Sequence, residues 1–415
     1  MTPPDDDRTT TQHDGEGTTV MQVMQVAQGS GNPPVQGWVD DRFRGVLEAY
    51  LENFRQEEDE LGSSVHVTID GIPVVDLWGG WVDEGRTTPW AEDTLVCMMS
   101  VAKGVSAIAV GILIDRGLLD PDEPVATYWS AFAQQGKESL LVRWILDHRA
   151  GLPALVDEPL WPGATFDRDA MVGALERAAP LWEPGTVAAY HVQTQGYLLG
   201  ELVRRVTGTP IGQFVHREIT GPLGADYWMG LPASEFGRTA DLLPNGRSRL
   251  IAAREAEAAD SLRVLALAQN PDWPWRTMVN STEWRTSEIA SAGGHGNGRS
   301  VARIYAAMAN GGAVDGVRLM SPESVGLIST MQHNQIELVQ ERHYRQGLGV
   351  LLNSPGAVYM GPHEEAFGHH GIGGSAGFAD PVEHLSFGYA VNRMHEVGTN
   401  GPRAKRLIDA VYAAL

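Results

Sequence analysis

The chain has one cysteine, Cys97, in 415 residues. A single thiol excludes an internal disulfide and leaves no cysteine-based metal cage. Long hydrophobic runs are missing too. No window approaches the 18 to 20 uncharged apolar residues of a membrane span. Basic residues are scarce beside acidic ones, 31 Lys and Arg against 52 Asp and Glu, for a formal net charge of −21. An acidic surface argues against nucleic acid or an anionic membrane as partner, and disfavours strongly anionic substrates. The opening Met1-Thr2-Pro3-Pro4-Asp5-Asp6-Asp7 has no basic n-region and no apolar h-region, so it does not read as a signal peptide and the cytoplasm is expected. What is present is an ordinary globular composition, 43% hydrophobic and 20% charged. The length fits about two structural lobes.

Residues 1–36 are polar and rich in Thr, Gln, Gly, Asp and Pro, which predicts an irregular arm. Phe43, Val46, Leu47, Tyr50, Leu51 and Phe54 repeat at helical spacing. Val65–Ile69 and Val74–Trp78 read as strands joined through Asp70-Gly71, a hairpin signal. From 121 to 290 the pattern is helical with long irregular stretches. After 290 strands return at 347–352, 375–379 and 386–391, and an amphipathic helix with Leu407, Ile408 and Val411 closes the chain. The expected fold class is α/β (α+β). Residues 37–120 and 291–415 form an antiparallel sheet flanked by helices, and 121–290 an inserted all-helical lobe. Sites lie most often in the cleft between such lobes.

Ser100-Val101-Ala102-Lys103 opens an apolar helix. A Ser and a Lys three apart share one helical face, so the amine can take or relay the serine proton. The competing reading is a helix-capping serine beside a solvated lysine. Against it, Lys103 is the one cation in an apolar stretch, and burial depresses an amine's pKa toward base function. Tyr190, in Pro184–Val192, lies in a turn before a helix. A phenol becomes a useful base only where a cation holds it near the phenolate form, and Lys103 is a candidate for that cation. Gly368–Pro381 is glycine-dense and then strand-like, suited to presenting an N–H to an oxyanion. His369 and His370 are adjacent, so a strand sends them to opposite faces, and no carboxylate sits at a metal-ligand spacing; no metal or other cofactor is expected. Gly373-Gly374-Ser375-Ala376-Gly377 matches the G-x-S-x-G pattern. That pattern needs a strand–turn–helix, whereas Ser375 is followed by a strand and Asp380-Pro381.

The ordered set Ser100-x-x-Lys103, Tyr190 and His369-x-Gly371 resembles the serine β-lactamase and penicillin-binding-protein superfamily, most of all its class C-like family VIII carboxylesterases. Asp147–Pro153, Gly294–Asn297 and Gly373–Pro381 extend the resemblance, which runs from about residue 38 to the C-terminus. It implies that Ser100 is acylated, that Lys103 and Tyr190 share the proton transfers, and that the Ser100 and Ile372 N–H groups form an oxyanion hole. It implies also that His369-His370-Gly371 stands where the family has Lys-Thr-Gly. A neutral imidazole there would hold a substrate carboxylate poorly near pH 7. His191-Val192 departs from the Asn-bearing end of the class C tyrosine motif. Both changes point to neutral esters or amides. His369, His370, Gly371, His191, Trp273 and Trp275 are the candidate substrate-binding residues, the two tryptophans as walls of an apolar pocket. The expected function is a serine carboxylesterase acting on small neutral esters. Its rivals are an amidase, D-peptidase or β-lactamase, an acyltransferase, and a non-catalytic acyl-binding protein. The expected partner is a small ester or amide, and the sequence leaves homo-oligomerisation open.

Overall fold

The computed structural model describes residues 9–13, 19–23, 33–55, 60–156, 158, 160–244, 258, 261–267, 278–395 and 399–415. Its main element is an eleven-stranded sheet in which all neighbours are antiparallel. In spatial order the strands are Thr9–His13, Thr19–Val23, Val35–Asp40, Ile72–Gly80, Gly62–Ile69, Leu385–Val391, Ala376–Asp380, Phe367–His370, Leu351–Leu352, Arg342–Gln346 and His333–Glu337. The hairpin at Asp70-Gly71 forms as expected. Both residues are left-handed, φ 52° and 79°, which a two-residue turn between twisted strands requires.

Two expectations are corrected. The first 36 residues are not an irregular arm throughout: two strands of that segment extend the sheet edge, and Val35 opens a third. Thr-rich segments suit strands, and edge pairing needs only backbone hydrogen bonds, so no apolar alternation announces it. Nor is 121–290 all helical. It carries helices such as Arg168–Arg177 and Thr194–Thr207, but also Trp228–Met229 and Thr239–Ala240. These two-residue strands are too short to leave a period. They join Leu95–Cys97 and Gly294–Gly296 in a four-stranded sheet ordered Trp228, Gly294, Leu95, Thr239.

The main sheet has a core on each face. On one face the helices Arg44–Asn53 and Gly401–Tyr412 cover Val65, Val67, Phe378, Phe387 and Tyr389. The other carries the helix Gly298–Ala309, whose start is fixed by a capping box between Asn297 and Ser300. This helix lies almost against the sheet: a Cβ on Gly388 would come within 2.1 Å of the Gly298 carbonyl oxygen. Beneath it runs the helix Val101–Asp115, buried at every residue from Val101 to Leu113. A helix apolar all round belongs inside a protein. Each Val, Ile or Leu buried there stabilises the fold by about 1.5–3 kcal/mol. Cys97 leads into it and is buried as a small hydrophobe, its thiol pushed up to about 11 by burial.

Candidate active site

Leu95–Cys97 delivers the chain to Ser100 through Met99, whose φ of 50° is unusual for a residue with a side chain. Such conformations cost about 1–3 kcal/mol and gather at functional sites. Ser100 occupies the N-cap position of the Val101–Asp115 helix, but its side chain makes no capping hydrogen bond. Its hydroxyl instead lies near enough to the Tyr190 phenol to lower that phenol's pKa. The capping reading of Ser100 therefore falls, and so does the solvated reading of Lys103, which is 1% exposed.

Lys103 Nζ donates to the carbonyls of Val192, at 2.7 Å, and Ser291, at 3.0 Å. It lies 4.8 Å from the centre of the Tyr190 ring. Burial moves its pKa well below the ordinary lysine value, and among the described residues no carboxylate pulls it back. A neutral amine has two N–H bonds, both satisfied by these carbonyls, and one lone pair left to accept a proton. Tyr190 shifts the other way. Burial raises the phenol's pKa, opposed by the Ser100 hydroxyl and reinforced by the charge of Glu337. The expectation that Lys103 holds Tyr190 near the phenolate form is thus replaced. Burial disfavours the charged form of either group, and among the described residues no counter-ion of Lys103 offsets it.

The strand Phe367–His370 brings in the third motif. A Cβ on Gly371 would lie 2.2 Å from the Met98 carbonyl oxygen, so only glycine lets the strand end press on the segment entering Ser100. Next to that contact is Ile372. Among the described residues neither its N–H nor that of Ser100 donates to a protein acceptor. Two free N–H groups flanking a serine are suited to an oxyanion.

His369 packs on the helix Val101–Asp115, 3.2 Å from where a Cβ on Gly104 would be, and its ring lies 6.4 Å from that of Tyr190. Its Nδ1 donates to the His370 carbonyl at 2.7 Å, which leaves Nε2 as an acceptor. Burial, then the neighbouring His370 and Lys103, hold its pKa well below the usual imidazole value. His370 is pushed down to about 4 by burial. Neither supplies a cation at neutral pH.

His191 is displaced from its expected role as a substrate contact. Its Nδ1 donates to the Ala189 carbonyl at 2.6 Å and its Nε2 accepts from Leu152 N–H at 3.0 Å. Fully buried and with both nitrogens taken by backbone, it pins the tyrosine loop. Trp273 and Trp275 lie outside the described residues. Trp284, from the same stretch, is a core residue at 0% exposure. Ser375 is 3% exposed and its hydroxyl accepts from Val391 N–H at 3.3 Å, in a turn between two strands. That is not the strand–turn–helix its motif needs.

Sequence reasoning gave no role to His148 or Glu337. His148 has φ 65° and its ring lies 4.8 Å from that of Tyr190. Its Nδ1 accepts from His191 N–H, which places its proton on Nε2. Glu337 accepts from the Tyr190 N–H at 2.8 Å across 147 residues of sequence, a separation that no local pattern bridges. Among the described residues no group of acidic, His or Cys side chains could hold a metal, and no helix is long and apolar enough to cross a membrane.

A helix-borne serine beside a buried lysine and a tyrosine, with its own N–H and that of Ile372 both without a protein acceptor among the described residues, is an arrangement suited to acyl transfer, carried on a transpeptidase-like fold. The chain belongs to the Beta-lactamase family, whose model matches residues 47–412. It is 33% identical over 375 residues to the esterase/beta-lactamase LipL of Mycobacterium tuberculosis, covering 87% of this chain and 83% of that one. The crystal structure of a family VIII carboxylesterase superposes with a TM-score of 0.84 at 37% identity, over 92% of this chain and all of the other. A penicillin-binding-protein homologue from Caulobacter crescentus gives a TM-score of 0.84 at 38% identity, with the same coverage.

Proposed function

We propose that this protein is a serine carboxylesterase that cleaves small neutral esters through an acyl-enzyme on Ser100. The observation that carries the reading is the buried Lys103, without a counter-ion among the described residues and donating to two carbonyls, beside the Tyr190 phenol and the Ser100 hydroxyl next to it. Ser100 Oγ attacks the ester carbonyl. Its proton passes through the Tyr190 phenol to the Lys103 amine, so the phenol relays and the amine is the base. The Ser100 and Ile372 N–H groups stabilise the tetrahedral oxyanion. The proton returns to the departing alkoxide, and water hydrolyses the acyl-enzyme by the same relay.

Choice of a neutral ester over an anionic β-lactam rests on His369. An imidazole held neutral, with Nδ1 committed to a carbonyl, offers an acceptor where family members with lysine offer a cation. The single buried thiol fits a reducing compartment, and we read the location as cytoplasmic. The test is intact-mass analysis after a fluorophosphonate probe, followed by turnover of p-nitrophenyl esters, nitrocefin and D-amino acid amides. Labelling at Ser100 with short neutral esters turned over best supports the reading. Nitrocefin hydrolysis as efficient as the best ester overturns it in favour of a β-lactamase, preferred amide cleavage in favour of an amidase, and acyl transfer to added alcohol outpacing hydrolysis in favour of an acyltransferase.

A further inference from the structure

The strand His333–Glu337 ends the main sheet, with Arg342–Gln346 as its partner on one side. Sheet edges present unpaired backbone groups, and proteins cover them. Here the tyrosine loop lies against that edge. The Gln335 side-chain oxygen accepts from Ala188 N–H at 3.2 Å, and Leu338 N–H donates to the Ala188 carbonyl at 3.1 Å. His333 Nε2 donates to the Asp147 carbonyl at 2.8 Å, tying the same edge to the segment that carries His148. Glu337 lies deepest, 3% exposed. Its Oε2 accepts from Tyr190 N–H at 2.8 Å and Val339 N–H at 2.9 Å, and its Oε1 from Gln340 N–H at 2.5 Å.

Burying a carboxylate is costly unless hydrogen bonds satisfy it. Three backbone N–H donors do so here, two from its own turn and one from the Tyr190 main chain. Charge-assisted hydrogen bonds of this kind are short, directional and roughly twice as strong as neutral ones. The Tyr190 main chain is therefore held by the far edge of the sheet as well as by its own loop. A phenol that must stay within hydrogen-bonding reach of Ser100 tolerates little drift, since a misplacement of about 1 Å can cost roughly 10²-fold in rate.

We propose that Glu337 is a positioning residue of the proton relay: its carboxylate fixes the main chain at Tyr190 so that the phenol stays on Ser100. This rests on the reading of Ser100 as nucleophile. Glu337 touches no reacting atom. A glutamine at this site keeps the length but loses the charge and must turn its NH2 group on at least one of the three N–H donors, so Glu337→Gln weakens the hold on Tyr190. Glu337→Asp keeps the charge and shortens the reach.

The experiment measures fluorophosphonate labelling rate at Ser100, with kcat and KM for a p-nitrophenyl ester, in wild type, Glu337→Gln, Glu337→Asp and each combined with Tyr190→Phe. Far-UV circular dichroism and Tm report folding. The expected result is a labelling rate and kcat reduced 10- to 100-fold in Glu337→Gln, KM within twofold, a smaller loss in Glu337→Asp, and no further loss when either change is added to Tyr190→Phe. If Glu337→Gln does not fold, Glu337→Asp decides by the same comparison. Wild-type rates in the single variants overturn the proposal. So does an equal loss in the Tyr190→Phe background, which is what general damage to the fold would produce. Labelling that follows this pattern without ester turnover overturns the esterase reading and leaves the positioning role standing. A wild type that the probe does not label overturns both.

Discussion

Lys103 and Lys137 look alike by most measures. Each is at most 1% exposed, and each donates to two backbone carbonyls. Each lies over an aromatic ring, Tyr190 at 4.8 Å and Phe132 at 5.1 Å. Their surroundings differ. Lys137 bonds the carbonyls of Glu176 and Ala178, at the end of the helix Arg168–Arg177, where a cation is favoured. Burial lowers its pKa, but Glu138 and Glu176 pull it back and it settles at about 8. Among the described residues the Lys103 amine has no such carboxylate, and its carbonyl partners belong to the loops beside Tyr190 and Gly293. One buried lysine caps a helix, and the other stands beside a phenol and a serine. Burial depresses both amines, so a depressed amine does not by itself mark a base. A hydroxyl within reach of the relay does.

The largest expected effect removes what Lys103 has and Lys137 lacks. Ser100→Ala drops ester turnover to the assay background and abolishes probe labelling. A labelled peptide containing Ser375 instead would sink the assignment. Next, Lys103→Met lowers kcat by at least about 10²-fold, the low end for general acid–base catalysis, whereas Lys137→Met stays within twofold of wild type. Equal losses in the two variants would mean that burial, not the neighbouring hydroxyl, was being measured.

A third expectation turns the comparison to stability. The Lys137 pKa is lower folded than unfolded, so between about 8 and the unfolded value the unfolded chain holds the extra proton. Its contribution to stability is complete above the unfolded value and is lost as pH falls through about 8. Urea midpoints taken from pH 7.5 to 10 should rise less steeply in Lys137→Met than in wild type. The buried Cys97 thiol, pushed to about 11, acts in the opposite sense in both proteins and cancels in the difference. Parallel curves would refute the assignment of a depressed amine to Lys137. The smallest effect concerns the imidazole near Lys103. Because His369 is held well below the usual imidazole pKa, the ratio of β-lactam acylation to ester turnover should change less than twofold between pH 8 and pH 6. A ratio that climbs toward pH 6 would mean that His369 does take a proton there. His369→Lys should raise the ratio at every pH.

The local chemistry was legible from residues alone. Ser100 and Lys103 are one helical turn apart, so their spacing, with the apolar run around them, placed both on a buried helix. The hairpin at Asp70-Gly71 announced itself by its turn residues, and the runs at 375–379 and 386–391 marked the strands Ala376–Asp380 and Leu385–Val391. Spacing also ordered the three motifs well enough to suggest the family. Other features depend on contacts that no periodicity encodes. The strands Thr9–His13 and Thr19–Val23 are held by backbone bonds at a sheet edge, and Trp228–Met229 is too short to repeat. His191 looked like a substrate contact and is a loop pin, because the Ala189 carbonyl and the Leu152 N–H claim its two nitrogens. Charge states were least legible of all. That Lys103 and His369 are driven toward neutral follows from the protein packed around them, since a pKa is set by what replaces water, and that is decided only when distant segments such as Val192, Ser291 and Glu337 close on the same few ångströms.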